Sequence, residues 1–132
     1  MGIGGIAYAS ERPILDLVGL ADKHIARSKR AAGAAIGHDH QDNDYVLGRA
    51  PELVLPLDWL TDEVLTPAGE RAKLDMDPTM WAAAIALLND ARFQAAYEAH
   101  DYPVGDKHLR IWVRNDLVHP MAFPEAARAD RP

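Results

Sequence analysis

The sequence predicts an α/β domain: a small mixed sheet of about four strands with helices packed on it. Three observations carry that expectation. Leu109, Ile111 and Val113 alternate with Arg110, Trp112 and Arg114, the period of a strand with one buried face. Met80, Ala84, Leu87, Leu88 and Ala91 recur at helical spacing and form one apolar stripe. The 132 residues are 48% hydrophobic and 26% charged, a globular balance in a chain long enough for one core.

Taken in order, Gly5 to Ala9 is short and apolar and leads into the turn-like Ser10-Glu11-Arg12-Pro13. Ile14 to Val18 follows and closes on Gly19, so both stretches predict neighbouring strands. Ala21 to Gly37 is alanine-rich and basic, with Lys23, Arg27, Lys29 and Arg30, and predicts a helical turn followed by a loose segment. His38 to Asp44 is a polar loop, in which Asp42 or Asn43 can cap a short helix through Tyr45, Val46 and Leu47. Pro51 ends that helix, and Leu53 to Leu55 predicts a third, buried strand. Trp59 to Leu65 is amphipathic and stops before Pro67-Ala68-Gly69. Asp77-Pro78 pairs a cap residue with proline and announces the next helix, which Phe93 and Tyr97, four apart, extend or restart. Tyr102 to Asp106 is expected to be a loop before the last strand. Residues 3–118 make one domain and 119–132 a C-terminal tail, with no internal repeat.

Composition narrows the function classes. The net charge is −6 and the basic residues form no dominant patch, which argues against a nucleic-acid partner. Without cysteine there is no disulfide, thiol nucleophile or thiolate metal ligand. No run reaches the roughly 18 apolar residues of a spanning helix, so the chain taken alone reads as soluble.

Several motifs carry chemistry in other contexts. Gly2 to Ala7 matches G-x-G-x-x-A, but no strand precedes it and no helix is expected to follow, so no cofactor is predicted. Arg114-Asn115-Asp116-Leu117-Val118-His119 resembles the R-N-x-x-x-H signature of HEPN-domain ribonucleases, which would make Arg114 and His119 catalytic. Against that, Arg114 ends a strand-like stretch, and Pro120 disfavours helix at His119. His38 and His40, two apart in a loop with Asp39, Asp42 and Asp44, offer imidazole and carboxylate to a metal, an alternative reading as a metal-binding module. No metal ligand is assigned, because such loops are more often solvated. Asp42-Asn43-Asp44 also has the short D-x-D form by which many glycosyltransferases hold a metal-bound sugar nucleotide. Asp16 stands in an apolar run with Asp22 and His24 close behind; a buried carboxylate there is expected to accept backbone N–H bonds from the following turn. Trp59, Trp81 and Trp112 are candidate sugar-stacking platforms, of which at least two are expected to pack internally.

Three segments together resemble one family. Gly5-Ile6-Ala7-Tyr8 with Ile14 to Ala26 is similar to its G-x-I-A-Y … D-x-x-G-L-x-D-x-x-I-A block. Gly37-His38, Tyr45-Val46-Leu47 and Pro51 to Val54 resemble its G-H … Y-V-L … P-D-x-I block, and Phe93 to Tyr97 with Leu109 to Arg114 its closing helix and strand. The family is the C-terminal soluble region of polytopic GT-C-type, arabinofuranosyltransferase-like membrane glycosyltransferases. The resemblance implies a domain on the extracytoplasmic face of the cell membrane, beside a membrane-embedded transferase region that carries the catalytic loops. It implies a glycan or lipid-linked sugar acceptor as partner, with Asp16, Asp22, His24, His38 and Tyr45 as candidate binding residues. The expectation is therefore a non-catalytic accessory or recognition domain.

Overall fold

A computed structural model describes Tyr8, residues 11–57 and residues 60–117. Among these, four α-helices pack on a three-stranded antiparallel sheet: α1 (Asn43–Arg49), β1 (Leu53–Val54), α2 (Pro67–Leu74), α3 (Ala82–Leu88), α4 (Ala91–Ala96), β2 (Tyr97–Val104) and β3 (Lys107–Arg114). The α/β class is as the sequence predicts. The glycine-rich start at Gly2 to Ala7, Trp59, His119 and the tail 119–132 lie outside the described residues.

The sheet order is β1-β3-β2. A tight hairpin, Tyr97↔Arg114 through Val104↔Lys107, is closed by Gly105 at φ +65° and Asp106. β1 adds to the other side through Leu53↔Val113 and Val54↔Trp112. Thr61 extends that edge, exchanging two 2.8 Å backbone bonds with His108.

Three of the four described helices begin where a short side chain takes over an orphan N–H, and α3 starts after Trp81 without such a cap. Asp42 accepts from Tyr45 N at 2.9 Å for α1. Thr66 accepts from Gly69 N at 3.0 Å for α2, with Pro67 in its first turn. Asp90 accepts from Arg92 N at 3.0 Å for α4. The core has two lobes. Leu17, Ile25, Val46, Val54, Leu87, Phe93 and Tyr97 fill one; Leu57, Leu65, Leu74 and Ala84 fill the other, and Leu88 packs against both.

Several elements depart from expectation. Asp77-Pro78 forms a turn and α3 starts only at Ala82, and Tyr102 to Val104 of the expected loop are strand because they pair with β3. Ile14 to Val18 is not a strand, although Leu17 and Val18 are buried. The Asp16 carboxylate captures the N–H groups of Val18 (3.2 Å) and Ala21 (2.7 Å), and Gly19 turns the chain at φ +80°, so the local side chain supplants a ladder. Residues 60–66 are not helical, since Thr61 is engaged with β3. Pro67 starts a helix instead of ending one, because the missing N–H costs nothing in the first turn. The helix expected to run on through Tyr97 stops at Ala96; Tyr97 turns extended (φ −131°, ψ 147°) and still stacks on Phe93, with ring centroids 4.6 Å apart.

β3 also has both faces covered. Arg110, only 5% exposed, is enclosed by a buried ionic network. Its Nε donates to Asp101 Oδ1 at 3.1 Å and its Nη2 to Asp101 Oδ2 and the Leu65 carbonyl, while Nη1 stands 3.5 Å from Glu70 Oε2. Trp112 Nε1 donates to Glu70 Oε1 at 3.0 Å. Desolvation raises the Glu70 carboxyl above the ordinary glutamate range, outweighing the opposing pull of Trp112 and Arg110.

Candidate functional site

Three of the five sequence-predicted residues, Asp22, His24 and Tyr45, converge around the short 3₁₀ turn Ile25–Arg27 and the start of α1. Asp22 Oδ1 accepts from His24 N (2.9 Å) and Ile25 N (3.1 Å), which fixes the turn. Asp22 Oδ2 accepts from the Tyr45 hydroxyl at 3.3 Å. The His24 imidazole stacks on the Tyr45 ring, centroids 4.0 Å apart and planes 14° from parallel. His24 Nε2 reaches Asp42 Oδ2 at 2.8 Å, while Asp42 Oδ1 caps α1. The Tyr45 N–H, then His24, holds the Asp42 carboxyl below the usual carboxylate range. Two segments about twenty residues apart are thus cross-braced by one ring stack and two carboxylates.

An open cleft of about 670 Å³ lies against this brace. Lys23, His24, Arg27, Ser28 and Lys29 line it from the 3₁₀ segment, and Gln41, Asp42 and Asp44 from the start of α1. Its floor is held by the Ser28 hydroxyl, which donates to the carbonyls of Ile25 (2.8 Å) and Gln41 (3.1 Å). Half of the His24 side chain, 52%, is exposed, so one face rests on Tyr45 while the rest is open to the cleft. The lining offers donors, acceptors and one anchored ring to a polar ligand of small-molecule size.

All of these residues fall within residues 1–113, the span matched by the family model described as "Domain of unknown function (DUF8728)". The chain belongs to the DUF8728 family. No curated protein and no solved structure matches it. No described helix of this DUF8728 domain is long and apolar enough to cross a membrane.

The structure separates the remaining candidates from the cleft. Asp16, 1% exposed, is bonded to the turn that leads into the 3₁₀ segment, the backbone-acceptor role its setting predicts. His38 sits in the next loop. Asp77, held below the ordinary range chiefly by the Thr79 hydroxyl and the Met80 N–H, also feels the His38 charge. His40 faces back toward the brace, its Nδ1 3.0 Å from the Ser28 carbonyl. Among the described residues no three His, Asp or Glu side chains are grouped to hold a metal ion. Arg114 ends β3 and is engaged by Asp116 (2.6 Å) and the Ala50 carbonyl. Of the tryptophans, Trp112 packs against Phe93, centroids 5.2 Å apart, and Trp81 against the second lobe.

Sequence reasoning missed two things here. Asp42 read as a helix cap, and its second oxygen turns out to anchor His24; the aromatic–carboxylate pairing across the loop leaves no mark on local spacing. Lys23, Arg27 and Lys29 carry no site role in the sequence reading, which gives only a basic helical turn and a loose segment, yet all three line the cleft.

Proposed function

We propose that this DUF8728 domain is a non-catalytic recognition domain that holds a glycan or sugar acceptor beside a membrane-embedded transferase region. The observation that carries this reading is the braced His24–Tyr45 stack beside a polar, open cleft. A ring whose orientation is fixed before binding offers a sugar an apolar face at little entropic cost, and Gln41 and Ser28 put polar groups around it. Acid–base catalysis suits the site poorly. Asp22 and Asp42 each give one oxygen to backbone N–H groups and the other to the Tyr45 hydroxyl or His24 Nε2, and Asp42, held below the usual range, is a weak base near neutral pH. The resemblance to the soluble region of GT-C-type glycosyltransferases supplies the partner, and with it the extracytoplasmic face as the place of action.

Titration with neutral oligosaccharides, followed by amide chemical shifts, tests the reading. Saturating shifts are expected at residues 23–29 and 41–45, at millimolar affinity worth about 4 kcal/mol. His24→Ala, a change at a half-exposed position, should abolish them without altering the far-UV dichroism. Shifts that fail to saturate, or that persist unchanged in His24→Ala, would overturn the proposal.

A further inference from the structure

The charges around the cleft are unevenly committed. Of its two acids, Asp42 is occupied by Tyr45 N and His24, and Asp44 by Arg92 at 2.7 Å. Lys23, Arg27 and Lys29, all exposed, make no ion pair and no side-chain hydrogen bond among the described residues. Three uncommitted cations therefore line one cleft of a chain whose net charge is −6. The neighbouring Arg30 differs, being engaged by Asp39 at 3.1 Å. Three exposed cations without a carboxylate partner, on one wall of one cleft, leave a local positive field.

We infer that this wall is an oxyanion subsite, and that the ligand of the cleft is a phosphorylated saccharide. The inference rests on the recognition reading above and narrows its ligand class. Three cations match the near-double charge of a phosphate monoester better than the single charge of a uronate. The Arg27 guanidinium can present two donors to two phosphate oxygens, while Lys23 and Lys29 act as mobile point charges. The volume, about 670 Å³, leaves room for a sugar beside the phosphate, against His24. The two halves of the ligand would divide the cleft, phosphate on the basic wall and sugar on the ring.

The test is a set of amide-shift titrations of the full chain with a hexose 1-phosphate, the same neutral hexose, the corresponding uronate and inorganic phosphate. Co-sedimentation with phosphatidylglycerol vesicles runs alongside. The sugar phosphate is expected to bind at least about tenfold more tightly than the neutral sugar, the scale of one charge-assisted contact. Arg27→Gln and Lys29→Gln, both at exposed positions, should each remove most of that advantage. Raising salt should erode the advantage, as it does for exposed charges. Equal binding of sugar and sugar phosphate, or an advantage untouched by both substitutions, would overturn the subsite and leave the glycan reading standing. A response to inorganic phosphate with none to any saccharide would keep the anion wall and sink the glycan reading. Uronate binding as tight as the phosphate, or binding to vesicles alone, would overturn the phosphosaccharide assignment.

Discussion

Glu70 is the most informative single position in the core. It shares Arg110 with Asp101, yet its contact is the loosest of the set: 3.5 Å to Nη1, against a two-pronged grip by Asp101. Its stronger bond, 3.0 Å from Trp112 Nε1, needs only a carbonyl-type oxygen. Glu70→Gln keeps that acceptor and the side-chain volume and removes a buried charge that Asp101 already makes redundant. Replacing poorly compensated buried charge is often neutral or stabilising, so Glu70→Gln should leave stability unchanged or raise it by about 1 kcal/mol at pH 7. Glu70→Ala should instead cost about 2–4 kcal/mol, combining an unsatisfied Trp112 N–H with one lost methylene. The pH dependence has a definite sign. A carboxyl raised in the folded state above its ordinary 4.5 contributes stability fully present below pH 4.5 and lost as pH rises through the folded value. The Gln variant lacks that loss, so its advantage over the parent should grow from pH 4.5 toward neutrality. Urea unfolding of both proteins at several pH values between 4.5 and 7.5 measures this directly. An advantage that shrinks as pH rises would mean that Arg110 holds Glu70 as an anion, and the desolvation argument would be wrong.

Three further substitutions examine the backbone around the cleft. Asp16→Asn keeps one good acceptor where two N–H groups are now served, and should cost about 1.5–3 kcal/mol in chemical denaturation, with or without ligand. An unchanged midpoint together with lost saccharide binding would make Asp16 a binding residue instead. Gly19→Ala should be far worse than Gly33→Ala, although both glycines have φ near +80°. A Cβ at Gly19 would lie 2.6 Å from Ala26 N, whereas at Gly33 it meets open space, so Gly33→Ala should cost only the left-handed penalty of about 1–2 kcal/mol. Equal thermal shifts for the pair would show that the Gly19 contact relaxes freely.

The elements legible in the sequence are those whose signal is local. β3 shows its alternation, α1 its Asp42 cap, and Asp16 its need for backbone partners. β2 was illegible for the opposite reason: Glu98, Ala99, His100 and Asp101 have little strand preference, and Pro103 argues against one. These residues are extended because Gly105 turns the chain back and β3 pairs with them residue for residue. The ionic network was hidden similarly, since Glu70, Asp101 and Arg110 meet only after α2 and the hairpin pack together. Its one trace is Arg110 itself, a charge in the middle of an apolar alternation. At the cleft, Asp22, His24 and Tyr45 were singled out and do come together, while His38 is directed elsewhere by the loop that precedes α1.

β1 has a consequence for the order in which the molecule is made. Its two residues pair only with Val113 and Trp112, at the far end of the hairpin. Every residue of the cleft leaves the ribosome before either partner exists. Val46, which seats α1 and therefore half of the cleft wall, packs in a lobe completed by Leu87, Phe93 and Tyr97. A nascent chain thus holds a full set of cleft side chains long before it holds a cleft, and the distant closures come last, as loop-closure entropy dictates. Occupancy of the site is in effect a report that synthesis has run past Tyr97.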